Sequence, residues 1–200
     1  MKKKILTTPI SDEEIRALNV GDTVYVSGTL VTGRDAVHQR LLVEKQGLSV
    51  DLRGSVLYHA GPIMKERESE PGKFDVVACG PTTSMRMEKL EASFLEKTGV
   101  KLIIGKGGMG EKTTAACGKT GAVHAVFPGG CAVLAAACVE EVEGVEWADL
   151  GMAEAVWILR VKEFGPLIVS IDTKGNNLFA ENKEQFRIKK EKALEELHLH

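Results

Sequence analysis

Short apolar runs of strand length alternate with stretches of helical spacing through the middle of the chain. Phe74-Asp-Val-Val-Ala78, Val100-Lys-Leu-Ile-Ile104 and Ala122 to Phe127 are the apolar runs. Between the first two, Met87 to Lys97 predicts an amphipathic helix, with Met87, Leu90, Phe94 and Leu95 on one face and Gly99 just past its end. Glu111 to Lys119 predicts a second helix stopped at Gly121, and Cys131 to Cys138 a third, built of small residues. Such alternation implies parallel strands joined by crossover helices. Upstream, Ser11-Asp-Glu-Glu14 is a capping-box pattern that starts a short helix. Thr23 to Val26 and Thr29 to Val31 predict a strand with a bulge at Gly28. Ala36 to Lys45 predicts a helix, Ser55 to Tyr58 a strand, and the charged segment Met64 to Lys73 a surface loop or short helix. After Val139 the pattern turns to strands, at Ala155 to Leu159 and Leu167 to Ile171, with a turn at Asp172 to Asn176. The charged tail, about residues 181–197, predicts a surface helix. The expected fold class is α/β: one domain over residues 1–200 with a mixed sheet, crossover helices and a core from about residue 10 to 180.

Composition narrows the function. Apolar residues are 44% and charged residues 27% of 200, so the chain can bury a core and is not disordered. A net charge of -2 offers no basic field, which argues against nucleic acid as a partner. No apolar stretch long enough for a secretory signal follows the basic start, and Pro128-Gly129-Gly130 breaks the longest uncharged stretch, so no membrane span is expected. Cys79, Cys117, Cys131 and Cys138 form no CxxC pair; buried reduced thiols in a cytoplasmic protein are expected.

Two loops leave strand ends and run into helices: Cys79-Gly-Pro-Thr-Thr-Ser-Met-Arg86 and Gly105-Lys-Gly-Gly-Met-Gly110. Ligands of open α/β sheets bind at this edge, and free N–H groups at helix starts favour an anion. Arg86 and Lys106 add a cation each, and Thr82, Thr83 and Ser84 add hydroxyls. The same residues also suit an ordinary turn and helix cap. The second loop is a literal GxGxxG, yet the following strand ends in Phe127-Pro-Gly-Gly130 without the carboxylate a dinucleotide site needs. Glu111 likewise interrupts the order of a P-loop. A third cluster is Thr32-Gly-Arg-Asp-Ala-Val-His38, where Asp35 is placed to cap the helix carrying His38. His59 suits either a site or a strand end, His124 reads as structural, and His198 and His200 as solvated.

These clusters, in this order, resemble the β subunit, or C-terminal part, of the iron-sulfur class I fumarases and the L-tartrate dehydratases. The strings that carry the resemblance are Thr32 to His38, Tyr58-His-Ala-Gly-Pro-Ile63, Gly80 to Met87, Gly105 to Met109, Leu150 to Trp157 and Asp172 to Asn176. The resemblance implies a swivelling β/β/α domain and a hydro-lyase that adds water reversibly across the double bond of a dicarboxylate, with fumarate to L-malate expected first. It implies a [4Fe-4S] cluster held by a partner α subunit, not by this chain, in an α2β2 assembly. It further implies that Arg34, Thr83, Arg86 and Lys106 bind the substrate carboxylates and that Thr82 acts as base.

Overall fold

The computed structural model describes residues 4–197, so His198 and His200 lie outside the described residues. Strands β1 (Lys4–Thr7), β2 (Thr23–Thr32), β3 (Val56–Tyr58), β6 (Leu102–Gly105), β7 (Val123–Val126), β8 (Val139–Glu146) and β9 (Val156–Ile171) form one mixed sheet in the order β1-β2-β3-β6-β7-β9-β8. The pairings from β1 through β7 are parallel, and β9 runs antiparallel to β7, β8 and β2. Because β9 bonds to both β7 and β2, the pairings close into a ring of β2, β3, β6, β7 and β9. β4 (Ile63–Glu66) and β5 (Phe74–Ala78) make a separate antiparallel pair.

Helices α2 (Asp35–Leu42), α3 (Glu88–Thr98) and α4 (Glu111–Thr120) cover one face of β3, β6 and β7. The short α1 (Asp12–Arg16) opens on the expected capping box, Ser11 with Glu14. α5 (Ala132–Ala137) packs on β5, and α6 (Leu178–Glu196) buries none of its side chains. Side-chain alternation along the central strands divides the core in two. Val56, Tyr58, Leu102, Ile104, Val123 and Ala125 face the ring interior with Phe127 and Phe164. Leu57 and Ile103 face the helices, against Met87, Phe94 and Leu95. By the same alternation His59 and His124 fall on the helix side. Both α3 and α4 stop where expected, at Gly99 and Gly121, whose φ values of +69° and +65° suit a left-handed cap without a Cβ.

Four expectations need correction. β1, within the basic start, is a strand whose Leu6 reaches the core. The segment expected as a surface loop or short helix starts with β4, which hydrogen-bonds to β5. The two late strands are a single sixteen-residue β9. α2 ends at Leu42, short of Lys45. The bulge at Gly28 is present as a register shift between β2 and β9.

Candidate active site

Three segments meet at the carboxyl ends of β2, β3 and β6. The peptide of Thr82 is held on both sides: its N–H donates to His59 O at 2.6 Å, and its carbonyl accepts from Lys106 N–H at 3.0 Å. Ser84 N–H donates to Lys106 O at 3.1 Å, so the two loops are laced together by main chain. Gly105 allows that approach, because a Cβ there would fall 1.9 Å from Ser84 Oγ. Ser84–Met87 is a 3-10 turn leading into α3, and Thr83 precedes it without any side-chain capping bond. The Thr82 hydroxyl likewise makes no hydrogen bond among the described residues. The threonine pair is therefore not serving as a helix cap. Thr82 is half-buried, and Thr83, Arg86 and Lys106 are exposed.

The two arginines are already oriented. Arg86 forks onto Asp35, Nε to Oδ1 at 3.1 Å and Nη2 to Oδ2 at 2.5 Å. Arg34 Nε lies 2.8 Å from Glu154 Oε1, and Glu154 Oε2 accepts from Ala36 N–H at 3.1 Å. Asp35 thus does not cap α2 as expected; Glu154, from across the chain, takes the N-terminal position. A parallel correction applies at α4. Its first N–H groups do not await an external anion, because the Glu88 carboxylate accepts from Gly110 N–H at 2.8 Å, Lys112 N–H at 3.1 Å and Thr113 Oγ1 at 2.7 Å. That internal carboxylate sits where a phosphate would sit, which removes the dinucleotide reading of GxGxxG on physical grounds.

Beneath the loops runs a buried polar chain that the sequence reading missed as a unit. His38, His59, Ser84, Glu91, His124 and Ser170 are all fully buried. His38 Nδ1 is 2.9 Å from Arg34 O, and its Nε2 is 3.1 Å from Glu91 Oε2. His59 Nε2 lies 3.1 Å from the same oxygen, at ion-pair distance but off the hydrogen-bond direction. His59 Nδ1 meets Ser84 Oγ at 3.0 Å, Ser84 Oγ meets His124 Nε2 at 2.9 Å, and His124 Nδ1 meets Ser170 Oγ at 2.6 Å. A signal for it existed: Glu91 stands four residues after Met87 and three before Phe94, on the apolar stripe of α3. Burial alone would raise the Glu91 carboxyl, but the facing histidines outweigh it and hold it well below the usual range. Burial pulls His38 down, and Glu91 more than restores it, leaving His38 raised. This agrees with geometry, since a carbonyl and a carboxylate face its two nitrogens and both can only accept.

Burial pushes His124 down to about 3, with His59 adding to the effect. The unfolded chain takes up a proton there near pH 6.5, whereas the folded chain does not until about pH 3, so acidification favours unfolding. His38, with its raised value, offsets part of this as pH falls through about 6.5 and adds nothing further below it, where both states are charged. Between pH 7 and 5, His124 alone is expected to cost about 2 kcal/mol of stability. Urea midpoints at both pH values check it: His124→Gln should flatten the decline, and an equal decline in the variant would disprove the assignment.

His38, His59 and Glu91 also form a group whose donor atoms lie within 4.8 Å of one another. They supply three fully buried ligands, and the group has no fourth donor among the described residues. The cysteines do not fit an iron-sulfur cluster. Cys79 and Cys131 lie in the ring core and Cys117 under the helices, and burial pushes the Cys79 thiol up to about 12. No three of them converge among the described residues.

Comparison with known proteins places this architecture. The model of the family described as Fumarase C-terminus matches residues 1–182. The chain belongs to that family. Over 200 residues this fumarase C-terminus chain is 54% identical to the L(+)-tartrate dehydratase subunit beta of Escherichia coli (strain K12), covering 99% of this chain and 98% of that one. It is 41% identical over 182 residues to the putative L(+)-tartrate dehydratase subunit beta of Methanocaldococcus jannaschii, covering 88% and 92%. A putative fumarate hydratase class I of Geobacillus stearothermophilus is 44% identical over 173 residues, which is 86% of this chain but 33% of that longer protein. No helix among the described residues of the fumarase C-terminus chain is long and apolar enough to cross a membrane.

Proposed function

We propose that this chain is the β subunit of a hydro-lyase acting on a small dicarboxylate in the cytoplasm, and that it turns over only when a partner α subunit completes the site. In this reading Arg34, Arg86, Lys106 and Thr83 hold the substrate carboxylates, and Thr82 moves the proton at the adjacent carbon. The observation that carries it is that Arg34 and Arg86 both face Asp35, while Lys106 and two threonines with uncommitted side chains stand on loops laced at Thr82, Ser84 and Lys106. Breaking a carbon–hydrogen bond beside a carboxylate spreads negative charge onto the carboxylate oxygens, and preorganised cations stabilise that charge without reorganising. Asp35 supplies preorganisation by fixing the Arg86 guanidinium plane, while Glu154 holds Arg34 by charge at ion-pair distance. A threonine hydroxyl is a weak base at neutral pH, and among the described residues no titratable side chain hydrogen-bonds to Thr82, so in this reading its activation comes from the assembled site.

The [4Fe-4S] cluster of this reading resides in the partner, in an α2β2 assembly, since the cysteines of this chain do not suit it. Two substrates compete within the class. Fumarate is the first expectation for the family as a whole, since the shared motifs fit the common dicarboxylate and select no single acid; the full-length 54% identity with a protein named for L-tartrate favours L-tartrate as the second.

Anaerobic co-expression with the partner, followed by iron and sulfide analysis and assays on L-tartrate, fumarate and mesaconate, tests the proposal. The assembled protein should turn over one of these acids, while this chain purified alone should be colourless and inactive. Full turnover by the isolated chain, or a stoichiometric cluster on it, would refute the partner assignment.

A further inference from the structure

We infer that Glu91 is a positioning residue that sets the Arg34 peptide and the Thr82–Arg86 loop at the spacing a dicarboxylate needs; this rests on the functional reading above. A single oxygen, Glu91 Oε2, lies 3.1 Å from the Nε2 atoms of both His38 and His59. From it two tethers diverge, each one imidazole long. The first ends on the carbonyl of Arg34, which His38 Nδ1–H reaches at 2.9 Å. The second ends on Ser84 Oγ, which His59 Nδ1 meets at 3.0 Å. Ser84 lies two residues from Thr82 and two from Arg86, and its own N–H is fixed to the Lys106 carbonyl at 3.1 Å. Both arms of the clamp are therefore referred to one carboxylate on α3.

Packing does not account for a glutamate at this position. Its neighbours on the α3 stripe, Met87, Phe94 and Leu95, are buried apolar residues, and a leucine would continue them. A buried carboxylate must be compensated by partners, and replacing such groups by apolar ones is often neutral or stabilising. Glu91 Oε1 moreover has no hydrogen-bond partner among the described residues, a cost without return for stability. What the carboxylate does provide is one charge that His38 meets by a hydrogen bond and His59 by close approach, joining two segments that make no main-chain ladder with each other among the described residues: the N-terminus of α2 and the loop after β5. Misplacing a binding group by about 1 Å is enough to lower turnover a hundredfold, so such a link acts on the substrate even though Glu91 never touches it.

The test uses the full complex with its partner, comparing Glu91→Gln with the unmodified protein. The amide keeps the size but not the charge; the one atom that faces both imidazoles becomes a neutral oxygen or an N–H group toward both, so the shared anchor is weakened at the two tethers together. KM for the dicarboxylate is expected to rise about tenfold, and that increase should vanish when Arg86→Lys is already present. A role in stability alone would lower the thermal midpoint and the folded yield and leave KM of the folded enzyme unchanged. Ser84→Ala, which cuts the His59 tether without touching the buried charge, is the second variant and should raise KM in the same direction; it decides the matter if Glu91→Gln does not assemble. KM within about twofold of the unmodified enzyme in the folded variants would overturn the inference. So would a stoichiometric metal ion found in the purified chain by elemental analysis. If the unmodified complex dehydrates no dicarboxylate, the functional reading fails and takes this inference with it; if it is active and the variants match it, this inference alone fails.

Discussion

Thr82→Ala in the assembled enzyme is expected to lower kcat about 10²- to 10⁴-fold with little change in KM, the usual cost of removing a group that moves a proton in the transition state. The local structure makes this a clean substitution. The Thr82 peptide is held by His59 and Lys106 through main-chain atoms alone, so alanine keeps both bonds. Its hydroxyl neither caps the following turn nor bonds to any other described residue, so little stability goes with it. Were Thr82 merely part of a capped turn, the substitution would cost about 1 kcal/mol of stability and leave turnover intact. Steady-state kinetics with the thermal midpoint measured in parallel separates the two, and a near-normal kcat in a folded variant would reduce this domain to a substrate clamp.

Arg86→Lys should fail in a different way, through KM. Lysine keeps the charge but presents no planar fork, so both Asp35 contacts made by Nε and Nη2 are lost as a pair. Without them the cation swings on a flexible stem, and a substrate carboxylate meets a point charge in place of an oriented edge. Charge-assisted hydrogen bonds of this kind are worth about 1.5–3 kcal/mol, so KM should rise roughly 10- to 100-fold. Initial-rate measurements across substrate concentration check it. An unchanged KM would mean that the Arg86–Asp35 fork is an ornament of the α2 terminus and that another residue receives the carboxylate.

The central α/β unit was legible because each of its signals is local. β6 and β7 announce themselves as apolar runs, and Gly99 and Gly121 mark the ends of the helices that precede each of them. β8 was not, since Val-Glu-Glu-Val-Glu-Gly-Val-Glu carries four carboxylates and its register against β9 shifts twice. β9 was divided because Gly165 and Pro166 are ordinary stop signals, which here are absorbed inside a strand bonded on both sides. At the site, the loops and their cations were readable as strings. Their internal partners were not: Glu88, Asp35 and Glu154 each satisfy a helix start or an arginine from a place that only the tertiary fold brings near. The histidine–glutamate chain draws on α2, α3, β7, β9 and the loops after β3 and β5, so no single window of sequence contains it.

The prior pairing of both arginines also shapes how a ligand arrives. Arg34, Arg86 and Lys106 are faced by Asp35 and Glu154, which leaves the edge with one positive charge in place of three. Beyond a Debye length of about 8 Å a dianion therefore feels almost no pull from this half, and diffusional steering contributes little to capture. Discrimination among similar acids is then made at contact, by the orientation of donor groups, and long-range attraction must be supplied by whatever surface closes over them.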